Sequence, residues 1–161
     1  MTITWDNSPI DFRNQSDQFV IEEAIKRIER SAKKSDVMIA CPADAKRYFQ
    51  CQLGDKDREH FVMTMLDVQN RLIATECLFK GTLTQTSVYP REVVRTSLKY
   101  NAASVIFAHN HPSGYANPSN ADKSLTKHLA EALALVDVRV IDHFVVTATE
   151  VLSMAEMGAM Q

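Results

Sequence analysis

Cysteine is scarce in this chain: Cys41, Cys51 and Cys77 are its three thiols, and no two form a Cys-x-x-Cys pair. An odd, dispersed set argues against a disulfide framework and against a cysteine zinc site, and the expectation is reduced thiols in a cytoplasmic protein. Glycine and proline are also few, 4 and 5 residues, and no low-complexity segment, linker or internal repeat is present. No apolar run approaches the ~20 residues that a membrane helix needs. Met1 to Asp6 lacks the basic and apolar regions of a signal peptide. Neither sign of charge is in excess, since 18 Lys and Arg stand against 20 Asp and Glu and the pI is near 6.2. A strongly basic surface of the kind that attracts nucleic acid is therefore missing.

What is present suits one globular α/β domain, with 161 residues of which 45% are hydrophobic. Residues 1–15 read as an extended arm anchored by Trp5, Ile10 and Phe12. Ser16 caps an expected helix with Phe19, Val20, Ala24, Ile25 and Ile28 on one stripe and Lys33 and Lys34 near its end. That helix is either a lid or a self-association element. Pro42 starts a second helix, with Ala45, Tyr48, Phe49 and Leu53 inward and Gly54 at its end. Phe61 to Leu66 and Leu72 to Phe79 form an expected antiparallel hairpin. A threonine-rich turn over 81–87 leads to a helix from Pro90 to about Asn101, then a buried strand from Ser104 to Ala108. Ser119 caps a further helix, Val138 to Val146 is a strand, and the tail over 150–160 supplies a strand end and a short helix. Strands alternating with helices imply a mixed sheet covered by helices. The boundary between N-terminal arm with helix and main domain falls at 36/37.

The stretch His109-Asn110-His111-Pro112-Ser113-Gly114 is where chemistry concentrates. Histidines at i and i+2 of an extended segment point to the same side. Pro112 and Gly114 turn the chain, so that Asp122, in the first turn of the next helix, can return towards them. Two imidazole nitrogens and one carboxylate leave a fourth position for water, as in a catalytic rather than a structural zinc site. Asp122 and Ser119 also have a plain reading as a helix cap. Glu76 alternates onto an apolar strand face between Ala74 and Leu78, where a carboxylate needs a reason. His143 lies in an apolar strand, either as a satisfied core residue or as a group orienting a ligand from behind.

Glu76, His109-x-His111-Pro112 and Ser119-x-x-Asp122 together resemble the JAMM motif of MPN/JAB metalloproteases. Gly81-Thr82-Leu83, Pro90-Arg91-Glu92, His109 to Gly114, Pro118-Ser119-x-x-Asp122 and Asp142-His143 resemble more closely the RadC-like (UPF0758) branch. The likeness runs from about Val37 to the C-terminus. It departs at the front, where full-length RadC-like proteins carry a helix-hairpin-helix region that residues 1–36 are too short to hold. The resemblance implies a cytidine-deaminase-like mixed sheet with flanking helices, to which the helix expected after Ser16 is an N-terminal addition. It implies one Zn2+ per chain on His109, His111 and Asp122, with Glu76 as general base and Ser119 as donor to an oxyanion. Glu59 and Glu92 are the competing carboxylates for the base. Otherwise Glu76 pairs with Arg71, Lys80 or Arg91.

The resulting expectation is a zinc hydrolase acting on a peptide or isopeptide bond. One rival is a repair or mobile-element protein that binds nucleic acid, with a structural or idle metal site. The other is a nucleobase deaminase, disfavoured because the His-x-Glu and Pro-Cys-x-x-Cys signature is missing.

Overall fold

A computed structural model of the chain describes residues 16–32, 38–81 and 88–160. The expected arm over 1–15, the 36/37 boundary, Lys33 and Lys34, and most of the threonine-rich turn lie outside these residues. Among the described residues, four helices and five strands run in the order α1 (Asp17–Ala32), α2 (Pro42–Leu53), β1 (His60–Leu66), β2 (Leu72–Lys80), α3 (Pro90–Lys99), β3 (Ser104–Asn110), α4 (Asn120–Ala134), β4 (Arg139–Val146) and β5 (Val151–Ser153).

The strands form one mixed sheet in the order β2-β1-β3-β4-β5. β1 is antiparallel to both β2 and β3, and β5 is antiparallel to β4. β3 and β4 are parallel, joined through α4, because a parallel pair requires a long crossover. Every residue of β3 is buried, which explains why Val105 to Ala108 reads as a continuous apolar run rather than an alternation.

Each face of the sheet has its own core. On one side Phe49 and Leu53 of α2 pack against Val62, Ile106, Ala108 and Phe144. On the other, Val93 of α3 and Leu129 and Leu133 of α4 cover Phe61, Met63, Val105 and Phe107. α1 lies against α2 and β2.

The shortage of glycine has a structural counterpart. Asn70 in the β1–β2 turn, Asn101 after α3 and Asp137 after α4 take positive φ, at 58°, 50° and 59°. Asn and Asp tolerate that left-handed region better than other residues with a side chain.

One expectation fails. The tail after β5 forms successive turns instead of a helix, closed by Met157 N to Ser153 O, Gly158 N to Ala155 O and Ala159 N to Met154 O. Gly158 has φ +65°, which breaks any helical run there.

Candidate metal centre

β3 delivers the histidines. His109 is in register with Phe61 of β1 and Val145 of β4. His111 lies just past the strand, and its N–H donates to Val146 O at 2.8 Å. The extended backbone thus continues through His111, and both imidazoles emerge on one side. The chain then turns, with Gly114 N bonded to His111 O at 3.1 Å and Gly114 at φ +83°. Ala116 and Pro118 are buried and pin the loop. At the start of α4, Asp122 accepts from Ser119 N at 2.7 Å and from the Ser119 hydroxyl at 2.6 Å, while Asp122 N donates to Ser119 Oγ at 3.1 Å. This capping box holds the carboxylate in one orientation.

The three donors converge. His109 Nε2 lies 3.0 Å from His111 Nε2 and 3.3 Å from Asp122 Oδ1, and His111 Nε2 lies 3.6 Å from Asp122 Oδ2. Donors at the corners of a tetrahedron around an ion with bonds of 2.0–2.1 Å are separated by roughly 3.3 Å. Among the described residues this is the group of histidine and acid side chains able to hold a cation.

The donors also carry suitable lone pairs. His111 Nδ1 stands 2.6 Å from Tyr115 O. A carbonyl only accepts, so Nδ1 carries a proton and Nε2 is the nitrogen left to face a cation. Burial opposes ionisation of Asp122, but its close contacts with His109 and Ser119 outweigh it. Its carboxyl is held well below the usual carboxylate range.

Behind His109 stands His143, fully buried, with Nε2 2.8 Å from His109 Nδ1. Phe61 and Phe107 pack edge-on against the His143 ring at 5.4 and 5.8 Å. Burial first, then the neighbouring His109, pushes the His143 pKa well below its ordinary value. Thr126, one helical turn after Asp122, touches His143 Nδ1 at 2.6 Å and donates to Asp122 O at 2.6 Å. Sequence reading passed over Thr126, although the i+4 spacing from Asp122 was a usable signal.

Glu76 is not part of this cluster. It is paired with Met63, and Met63 with Phe107. It stands two strands and two residues of register from His109, roughly 12 Å at ordinary strand spacings. Its carboxylate accepts from the Tyr100 hydroxyl and has Lys99 Nζ at 3.8 Å. For an edge carboxylate the expected partners were Arg71, Lys80 or Arg91, and the structure gives Tyr100 and Lys99 instead. Tyr100 takes that place because α3 crosses this part of the sheet. Glu92, the second competitor, pairs with Arg95.

Glu59, the third carboxylate, lies at the end of the sheet where β3 delivers the histidines. It immediately precedes β1, half-buried, two residues before the register partner of His109. Its segment is held by Asn110. The Asn110 side chain accepts from His60 N at 2.7 Å and donates to Arg58 O at 2.8 Å and Lys56 O at 3.3 Å. Gly81 N bonds Glu59 O at 2.9 Å. Asn110, between the two histidines in sequence, points to the opposite face and fixes the loop from α2.

A mixed sheet with this His-His-Asp group at the end of a central strand defines a JAB-type α/β domain. The RadC-like JAB domain profile matches residues 39–159, and the chain belongs to that family. It is 57% identical over 136 residues to a UPF0758 protein of Polaromonas sp. strain JS666, covering 84% of this chain and 61% of the relative. It is 55% identical over 141 residues to one of Nitrosospira multiformis, covering 88% and 62%. A Leptothrix cholodnii UPF0758 protein is 59% identical over 117 residues, covering 73% and 53%. The chain thus spans between half and two thirds of the length of these relatives.

Proposed function

We propose that this chain is a zinc-dependent hydrolase of the JAMM type that cleaves an amide bond in a peptide or isopeptide, acting in the cytoplasm. The observation that carries the reading is the convergence of His109 Nε2, His111 Nε2 and the Asp122 carboxylate, with His111 and Asp122 only half-buried. Charge and lone pairs so close together repel unless a proton or a metal cation sits among them.

His109, His111 and Asp122 are the residues that would hold the ion. Zinc in such a site supplies Lewis acidity, lowering the pKa of a water and polarising a carbonyl. Glu59, rather than Glu76, takes the role of proton acceptor and later donor to the leaving amine, since it stands at the histidine end of the sheet on a segment anchored by Asn110. Ser119, whose hydroxyl now donates to Asp122, is placed to turn towards an oxyanion forming beside that carboxylate.

The test is elemental analysis of purified protein beside H111A, followed by peptide and isopeptide library screening. One zinc per chain, lost in H111A, with cleavage that chelator abolishes, is the expected result. Wild-type protein that takes up no zinc at neutral pH overturns the reading.

A further inference from the structure

Three buried side chains behind the open site form a single file: Thr126, His143 and His109, exposed to 1%, 0% and 7%. Thr126 Oγ1 is 2.6 Å from His143 Nδ1, and His143 Nε2 is 2.8 Å from His109 Nδ1. Such a file has two possible polarities, because a neutral imidazole has one N–H and one lone pair. If the Thr126 proton pointed at His143, every proton downstream would shift by one place. His109 would then carry its proton on Nε2, facing Asp122 and blocking a metal.

The structure supplies a reason for the other polarity. The Thr126 hydroxyl has one proton, and it donates that proton to the main-chain carbonyl of Asp122 at 2.6 Å. Its oxygen must then accept from His143 Nδ1–H. His143 Nε2 is left as an acceptor for His109 Nδ1–H, and His109 Nε2 is bare. The carbonyl that orients Thr126 belongs to the residue that completes the donor set, so the arrangement closes on itself.

We infer that Thr126 and His143 are positioning residues that set the tautomer of His109 and thereby make the site receptive to a divalent cation. This rests on the zinc reading above. Groups that orient a metal ligand from behind change metal affinity by about 10–100-fold when removed.

The probe is Zn2+ alone, titrated against a competing chelator at fixed neutral pH, with wild type, T126V and T126S. Valine matches threonine in shape but lacks the hydroxyl, whereas serine keeps it. T126V is expected to bind zinc about 10–100-fold more weakly, and T126S to stay within about threefold of wild type. Thermal unfolding of the zinc-free proteins provides the control, because a merely structural hydroxyl would destabilise both forms equally and leave zinc affinity unmoved. T126V with wild-type affinity overturns the inference while the zinc site itself stands. Absence of zinc uptake by wild type removes both. Should T126V not fold, nitrogen-detected NMR of the zinc-loaded wild type decides: His143 protonated on Nδ1 is expected, and protonation on Nε2 overturns the relay.

Discussion

Asn110 accepts the backbone N–H of His60 at 2.7 Å, and through that bond the strand carrying the histidines grips the segment carrying Glu59. N110A leaves the His60 N–H and the Arg58 and Lys56 carbonyls without this partner. The expected loss is about 1–3 kcal/mol in urea unfolding, the range for orphaned buried polar groups. A change below about 0.5 kcal/mol, the level of an ordinary surface substitution, would show that water replaces the side chain at no cost.

The two glutamates separate cleanly by experiment. With an amide substrate from library screening, E59Q is expected to lower turnover by about 100-fold or more, the usual worth of a general base, while zinc content stays at one per chain. E76Q should remain near wild-type turnover and lose some stability through its Tyr100 and Lys99 contacts. Inactive E76Q with active E59Q would return the base to the position that the motif reading first assigned.

Metal should couple to folding. A ligand that binds only the native state stabilises by about 2.7 kcal/mol at a hundredfold excess over its dissociation constant. Zinc should therefore raise the Tm of wild type and leave that of H111A unchanged, read by calorimetry with and without chelator. Equal Tm shifts in both proteins would place the zinc elsewhere.

The buried His143 gives the zinc-free protein a pH signature. Its folded pKa lies well below its unfolded value of about 6.5. The unfolded chain therefore binds a proton that the folded chain refuses, and the contribution to stability is complete above that pH and declines below it. Stability of the chelated protein should fall by up to about 1.4 kcal/mol per pH unit on this account as pH drops from 6.5. H143Q should flatten that part of the profile in urea titrations from pH 7.5 to 5.5. An unchanged slope in H143Q would assign the acid sensitivity to other groups.

Much of this protein was legible in order along the chain. Pro42 and Pro90 begin helices, the hairpin and β3 appear where apolar runs stand, and the grouping of His109, His111 and Asp122 was legible once the family resemblance was added to their spacing. These features depend on local sterics and on side-chain alternation, which a sequence carries by itself. The tail helix misled because one glycine with positive φ outweighed an apolar pattern.

The assignment of Glu76 shows what local reading cannot reach. Its alternation onto an apolar face was visible, and the structure puts it on the same face as His109. How far apart they lie depends on strand order and register, which only the closed sheet sets. The same pairing brings Glu59 to the histidine end, turns Asn110 into a brace between β3 and a distant loop, and stacks Thr126 behind His143. Sequence determined which atoms could bind a cation; tertiary structure decided which neighbours orient them, because hydrogen bonds between remote strands and helices exist only after the sheet is assembled.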